Sequence, residues 1–198
     1  MILRPWVILL AAGGSRRFGA PKLLVRIDEE SLLRRAARVA LGCRPAGCVV
    51  VLGARADRLR RELSGLPLRI TLNRRWRTGL ASSLRAGIEV LPDSAPAALI
   101  QLADQAAIGP ADLELLIAAW KRLPRAVVTA RVGDLRVPPA IFPRRLFREL
   151  CALRGNEGAR PLLRHRKWRV IEVEMPRAAF DIDRPGDFAR LKSAVSRD

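Results

Sequence analysis

Short runs of Val, Ile, Leu and Ala alternate along this chain with longer segments of helical period. The apolar runs Trp6–Ala11, Cys48–Leu52, Leu68–Leu72, Ala97–Leu102, Ala126–Ala130 and Arg169–Val173 read as strands. Between them, apolar residues recur every three to four positions in Ser31–Leu41, Ala56–Ser64, Ser82–Leu91, Pro110–Leu123, Arg144–Leu153 and Pro185–Val195, which read as helices. Pro110 and Pro185 suit first-turn positions, where no amide hydrogen is missed. Asp112 and Asp187 favour the same helix starts. The segment Val132–Phe147 shows no clear period and is expected to be an irregular insertion or an edge strand.

Near-continuous apolar strands alternating with helices predict an α/β fold: a mostly parallel sheet with helices on both faces, in three αβα layers. Ligands of such sheets bind beyond the carboxyl ends of the strands, where the strand order switches. The 198 residues fit one domain. No repeat, linker or low-complexity segment interrupts them.

Composition narrows the function classes. The formal net charge of +18, from 37 Lys+Arg against 19 Asp+Glu, fits an anionic ligand such as a nucleotide or nucleic acid. Arginine is nonetheless dispersed through every segment, as a genome-wide codon preference would give. With aromatic residues at 5% and no Tyr, the chain lacks the stacking platform of a nucleic-acid-binding domain. Cys43, Cys48 and Cys151 have no metal-ligand spacing, and an odd cysteine count fits a reducing compartment. A single histidine, His165, makes a His-based triad or metal site a poor expectation; its Arg neighbours place it at the surface. No stretch reaches the ~18–20 apolar residues of a membrane span, and the opening run leads into a glycine turn rather than a cleavage site. The expectation is a soluble, cytoplasmic protein.

The stretch "AAGGSRRFGAPK" (Ala11–Lys22) follows the first strand. Its glycines allow backbone amides to approach an anion, and Arg17 and Lys22 can neutralise phosphate oxygens. Neither common phosphate loop matches. Gly14 and Gly19 have the G-x-x-x-x-G spacing, but Ala20 and Pro21 intervene before Lys22, and G-x-G-x-x-G is absent.

What remains is A-A-G-x-S-x-R-[MF]-G-x-x-K, which resembles the signature of nucleotidyltransferases that activate sugars, alcohols or pterins with an NTP. "LAAG" is similar to the molybdenum cofactor cytidylyltransferase branch of the MobA-like NTP transferases. "NRRWRTGLASSLRAGI" (Asn73–Ile88), "LADQ" (Leu102–Gln105), "FPRRLFRELCALRGNEGARPLL" (Phe142–Leu163) and "FDIDRPGDFARL" (Phe180–Leu191) resemble later motifs of that branch in the same order. The chain departs from the pattern at Asn156, where the family usually has Asp, at Ala106, where it usually has Pro, and in "RVPPAIF" (Arg136–Phe142), which lacks the usual Gly.

The resemblance implies a Rossmann-like, GT-A-like fold. Its nucleotide-binding half would span about residues 1–108 and its acceptor-binding half about 109–198. It implies transfer of CMP from CTP to the terminal phosphate of molybdopterin, giving the cytosine dinucleotide and pyrophosphate, with a molybdoenzyme or its chaperone as partner. Alternatives are GTP as donor, another phosphorylated acceptor, a molybdenum cofactor chaperone without catalysis, or, from the net charge, a basic nucleic-acid-binding domain. In-line attack at the α-phosphorus rests on positioning and charge stabilisation, and a phosphate acceptor needs no general base. Mg²⁺ or Mn²⁺ would bridge phosphates, held by Asp104 and by Asp183 or Asp181. The alternative for Asp183 is a helix cap before Pro185. Arg17 and Lys22, with Asp104, would be catalytic, holding the triphosphate and stabilising the leaving pyrophosphate. Nucleotide contacts fall to Ala11, Ala12, Gly13, Gly14, Ser15, Arg17, Lys22, Asn73, Ser82 and Ser83, with Trp76 either core or pocket wall. Gln105, Asn156 and Arg160 lie toward the acceptor.

Overall fold

The computed structural model describes residues 3–15, 18–164 and 167–180. Arg16, Arg17, His165, Asp181, Asp183, Asp187 and the expected helix Pro185–Val195 lie outside the described residues.

Strands β1 (Trp6–Ala11), β2 (Arg26–Ile27), β3 (Glu30–Ser31), β4 (Gly47–Leu52), β5 (Arg69–Leu72), β6 (Ala97–Leu102), β7 (Val127–Val132), β8 (Leu135–Pro143) and β9 (Val170–Glu174) alternate with helices. The helices are α1 (Leu32–Gly42), α2 (Ala56–Glu62), α3 (Leu80–Glu89), α4 (Pro110–Arg122), α5 (Phe147–Ala152) and α6 (Arg160–Arg164). Seven strands form one sheet in the order β5-β4-β1-β6-β8-β7-β9. All its neighbours are parallel except those of β8, which runs antiparallel to β6 and β7. β2 and β3 form a separate two-stranded ribbon.

Burial on both faces explains the apolar strands. Val7, Leu9, Val50 and Leu99 point into a core shared with α1, α2 and α4. Ile8, Val51, Ala98 and Ile100 point into a second core shared with α3, α5 and α6. Local signals set the helix starts. Ser31 caps α1 by accepting from the Arg34 amide at 3.2 Å. Pro110 occupies the first turn of α4, and Asp112 accepts from the Gly109 amide at 2.8 Å. α3 lies close on β1 because Gly87 has no Cβ; one built there would stand 2.5 Å from Ile8 Cγ2.

Val132–Phe147 differs from expectation. Its β8 portion is an interior strand between β6 and β7 rather than an edge or an insertion. The two prolines explain the misreading, since proline removes ladder donors and reads as an edge signal. The β7–β8 register passes from Thr129↔Ala140 to Ala130↔Val137, so Pro138 and Pro139 fall in the irregularity and no amide is missed there. Their peptide bond is cis.

Two buried features lie outside the site. Burial pushes the Cys43 and Cys48 thiols up to about 12, which leaves both un-ionised and unreactive at neutral pH. Gln101, fully buried on β6, has a hydrogen-bond partner for neither end of its amide. An unpaired buried amide costs on the order of 1–3 kcal/mol. Gln101→Met, which keeps the length and removes the polar atoms, is expected to stabilise the fold by about 1 kcal/mol. That corresponds to roughly 2–4 °C in Tm for a chain of this size; a lower Tm by calorimetry would refute it.

Candidate nucleotide-binding and active site

The chain leaves β1, builds β4 and β5 on one side, then crosses back to place β6 on the other side of β1. The carboxyl ends of β1 and β6 therefore flank the switch in strand order, where an open α/β sheet leaves a crevice. The loop after β1 and the Asp104 turn after β6 both open there.

A cleft of about 340 Å³ occupies this place. Ala11, Ala12, Gly13 and Ser15 line one wall, Leu102, Ala103 and Asp104 the other, and Lys22 and Phe18 close one end. Lys22, in a single 3-10 turn (Lys22–Leu24), places Nζ 2.6 Å from Asp104 Oδ2. Both side chains are largely but incompletely buried, at 13% and 24% exposure. A cation thus already rests against one Asp104 oxygen. A largely buried hard carboxylate that accepts a cation is a donor suited to Mg²⁺ or Mn²⁺ completed by phosphate oxygens and water. Among the described residues no group of three or more His, Cys, Asp or Glu gathers as a metal site; Asp181 and Asp183 lie outside them.

A second cleft of about 300 Å³ continues from the first, sharing Ala12, Gly13, Leu80 and Ser83 and adding Gly14, Trp76, Arg77, Gly79 and Asn156. Trp76 is a wall here: a Cβ on Gly14 would stand 3.1 Å from its ring. The Arg77 guanidinium covers that ring at 4.9 Å. Gly79, at φ +117°, turns the chain into α3; a Cβ there would stand 2.7 Å from Asn156 Oδ1. Glycine is needed for both conformation and space.

Gly13 is different. It is exposed, and a Cβ built on it meets nothing within 4 Å, so a side chain there projects into open cleft. Gly13→Ala is expected to leave Tm unchanged or slightly raised, because a compatible Gly→Ala change restricts the unfolded chain. The same methyl should weaken nucleotide binding about tenfold or more; calorimetric titration with CTP checks it.

The remaining sequence-derived candidates divide. Asn73 and Ser82 work inside the wall: the Asn73 amide donates to the hydroxyls of Ser82 at 2.8 Å and Ser83 at 3.0 Å. Of the three, Ser83 lines the clefts. Gln105 is buried and donates to the Pro138 carbonyl at 2.8 Å, tying the end of β6 to the proline pair. It also lines a third, adjoining cavity of about 400 Å³, together with Asn156, Arg160, Phe142 and Leu80. Leu80 borders all three spaces. In the sequence it carries no chemical signal, being an apolar residue after a glycine.

Arg4, Arg131, Arg136 and Arg144 form ion pairs with Glu or Asp carboxylates. No helix among the described residues is long and apolar enough to cross a membrane.

Two curated relatives align over nearly the whole chain. Nicotine blue oxidoreductase of Paenarthrobacter nicotinovorans is 28% identical, covering 93% of this chain and 94% of the relative. Purine catabolism protein PucB of Bacillus subtilis (strain 168) is 27% identical, covering 96% of each. Among solved structures, Rv0371c of Mycobacterium tuberculosis H37Rv superposes with a TM-score of 0.84 at 25% identity, over 98% of this chain and 100% of that one. A further crystal structure of Rv0371c, in complex with manganese, gives 0.80 at 24% identity over 95% and 97%. Residues 7–170, from within β1 to the start of β9, match the MobA-like NTP transferase domain, and the chain belongs to that family.

Proposed function

We propose that this chain is a divalent-metal-dependent cytidylyltransferase that moves CMP from CTP to the terminal phosphate of molybdopterin or a closely similar acceptor. The observation that carries it is the convergence of a small-residue backbone loop, the Lys22 ammonium and the Asp104 carboxylate on one crevice at the strand switch. The loop after β1 would present backbone groups to the cytosine, with Trp76 as the wall of that end. Lys22, and Arg17 from outside the described residues, would neutralise the triphosphate and the charge growing on the leaving pyrophosphate. A metal ion held by Asp104, with Asp183 as second ligand, would supply charge neutralisation and a template for the phosphates; the manganese bound by the mycobacterial relative supports a metal of this class. The third cavity, with Gln105, Asn156 and Arg160, would take the acceptor. On this reading residues 1–108 form the nucleotide half and residues 109–198 the acceptor half of one cytoplasmic domain.

The deciding experiment incubates the protein with each NTP, Mg²⁺ or Mn²⁺, and molybdopterin, and reads the dinucleotide by mass. CTP turnover with pyrophosphate release is the expected result. Turnover of GTP alone would overturn the base assignment. The 28% identity to nicotine blue oxidoreductase favours a second reading, a redox reaction in the same crevice. Redox turnover of nicotine blue, and no pyrophosphate from any NTP, would establish that reading instead.

A further inference from the structure

The wall beneath the crevice carries a polarity that the motif does not state. Asn73 is buried, and the backbone amide of Arg75 donates to its Oδ1 at 2.9 Å. That contact settles which end of the amide is which, because a backbone N–H can only meet the oxygen. Both hydrogens of Nδ2 are then committed, one to Ser82 Oγ at 2.8 Å and one to Ser83 Oγ at 3.0 Å. Ser82 gives its own proton to a backbone carbonyl of the loop, that of Gly79 at 2.8 Å or of Arg75 at 3.0 Å. Ser83 behaves otherwise. Its hydroxyl accepts from Asn73, and among the described residues no protein oxygen takes its proton. Ser83 stands where the two clefts meet, with Ala12, Gly13 and Leu80.

We infer that Asn73 is a positioning residue that fixes Ser83 as a hydrogen-bond donor aimed into the crevice, selecting a nucleotide that offers an acceptor atom on its nucleoside part at that point. This rests on the nucleotide reading above. Two neighbouring serines of the same motif thereby have opposite duties: Ser82 holds the loop and Ser83 reads the ligand. A hydroxyl left free to rotate could turn its proton to either side; one that accepts from the Asn73 amide cannot turn its proton back to the wall, and the proton is left for the crevice.

Aspartate at position 73 tests the claim because it has the same shape and can only accept. In Asn73→Asp, Ser83 must donate to the new carboxylate and turn its lone pairs to the crevice. Calorimetric titration with CTP is expected to show binding weakened about tenfold or more in Asn73→Asp, and similarly in Ser83→Ala. The double variant is expected to bind no more weakly than Ser83→Ala, since the orientation of an absent hydroxyl cannot matter. A merely structural or electrostatic role for Asn73 would weaken binding equally in both backgrounds, and that result overturns the inference. If aspartate at 73 unfolds the loop, seen as a large drop in Tm, Ser83→Ala alone decides: unchanged CTP affinity overturns the donor role. Wild-type protein that binds CTP while these variants behave independently sinks this inference alone. Wild-type protein that binds no NTP sinks the transferase reading and this inference with it.

Discussion

Asp104→Asn is expected to lower nucleotidyl transfer by about three orders of magnitude or more while leaving the fold intact. An ion bridging the phosphates supplies several kcal/mol of charge stabilisation, and each ~1.4 kcal/mol is a factor of ten in rate. Asn has the same shape but a much weaker donor oxygen for a hard cation. The stability cost should be small. Asn keeps an oxygen that can accept from the Lys22 ammonium, so the largely buried pair loses its charge attraction but not its hydrogen bond. Mn²⁺ titration followed by paramagnetic resonance gives a readout separate from turnover: bound ion should be lost in Asp104→Asn. Wild-type turnover in this variant, or undiminished Mn²⁺ binding, would remove Asp104 from the metal site.

Lys22→Met should act in two opposite directions. A charge-assisted hydrogen bond to a phosphate oxygen is worth ~1.5–3 kcal/mol, so kcat/KM for CTP should fall by roughly ten- to a hundredfold, and further if Lys22 also stabilises the departing pyrophosphate. Yet Lys22 sits 2.6 Å from Asp104 Oδ2, on the oxygen a metal would use. Removing the ammonium unmasks that carboxylate. Mn²⁺ affinity measured without nucleotide should therefore rise, even as CTP affinity falls. If both affinities fall together, Lys22 supports the site in some way other than by exchanging its charge between carboxylate and phosphate.

The positions of these residues were unevenly legible in the chain. Strand β1 and strand β6 are visible as apolar runs with the boundaries the fold confirms, because burial on both faces requires an unbroken run. α3 begins two residues before its expected start at Ser82, since Gly79 with its left-handed backbone, not a serine, makes the turn. The small helix α6 and the β2–β3 ribbon carry too short a pattern to be seen at all. β8 was hidden by prolines that the register shift absorbs.

The amino-acid sequence by itself determined the layer architecture, the first loop and the candidacy of Lys22 and Asp104, for these follow from periodicity and from residue types with few alternative uses. Only the tertiary structure decided which candidates meet. Lys22 and Asp104 are 82 positions apart and become partners because the chain crosses from β5 back over β1 to β6. Asn73, Ser82 and Ser83 look alike as polar motif residues, but hydrogen-bond direction separates them: two form the wall and one faces the crevice. That difference lies in which atom donates to which, and no spacing in a sequence encodes it.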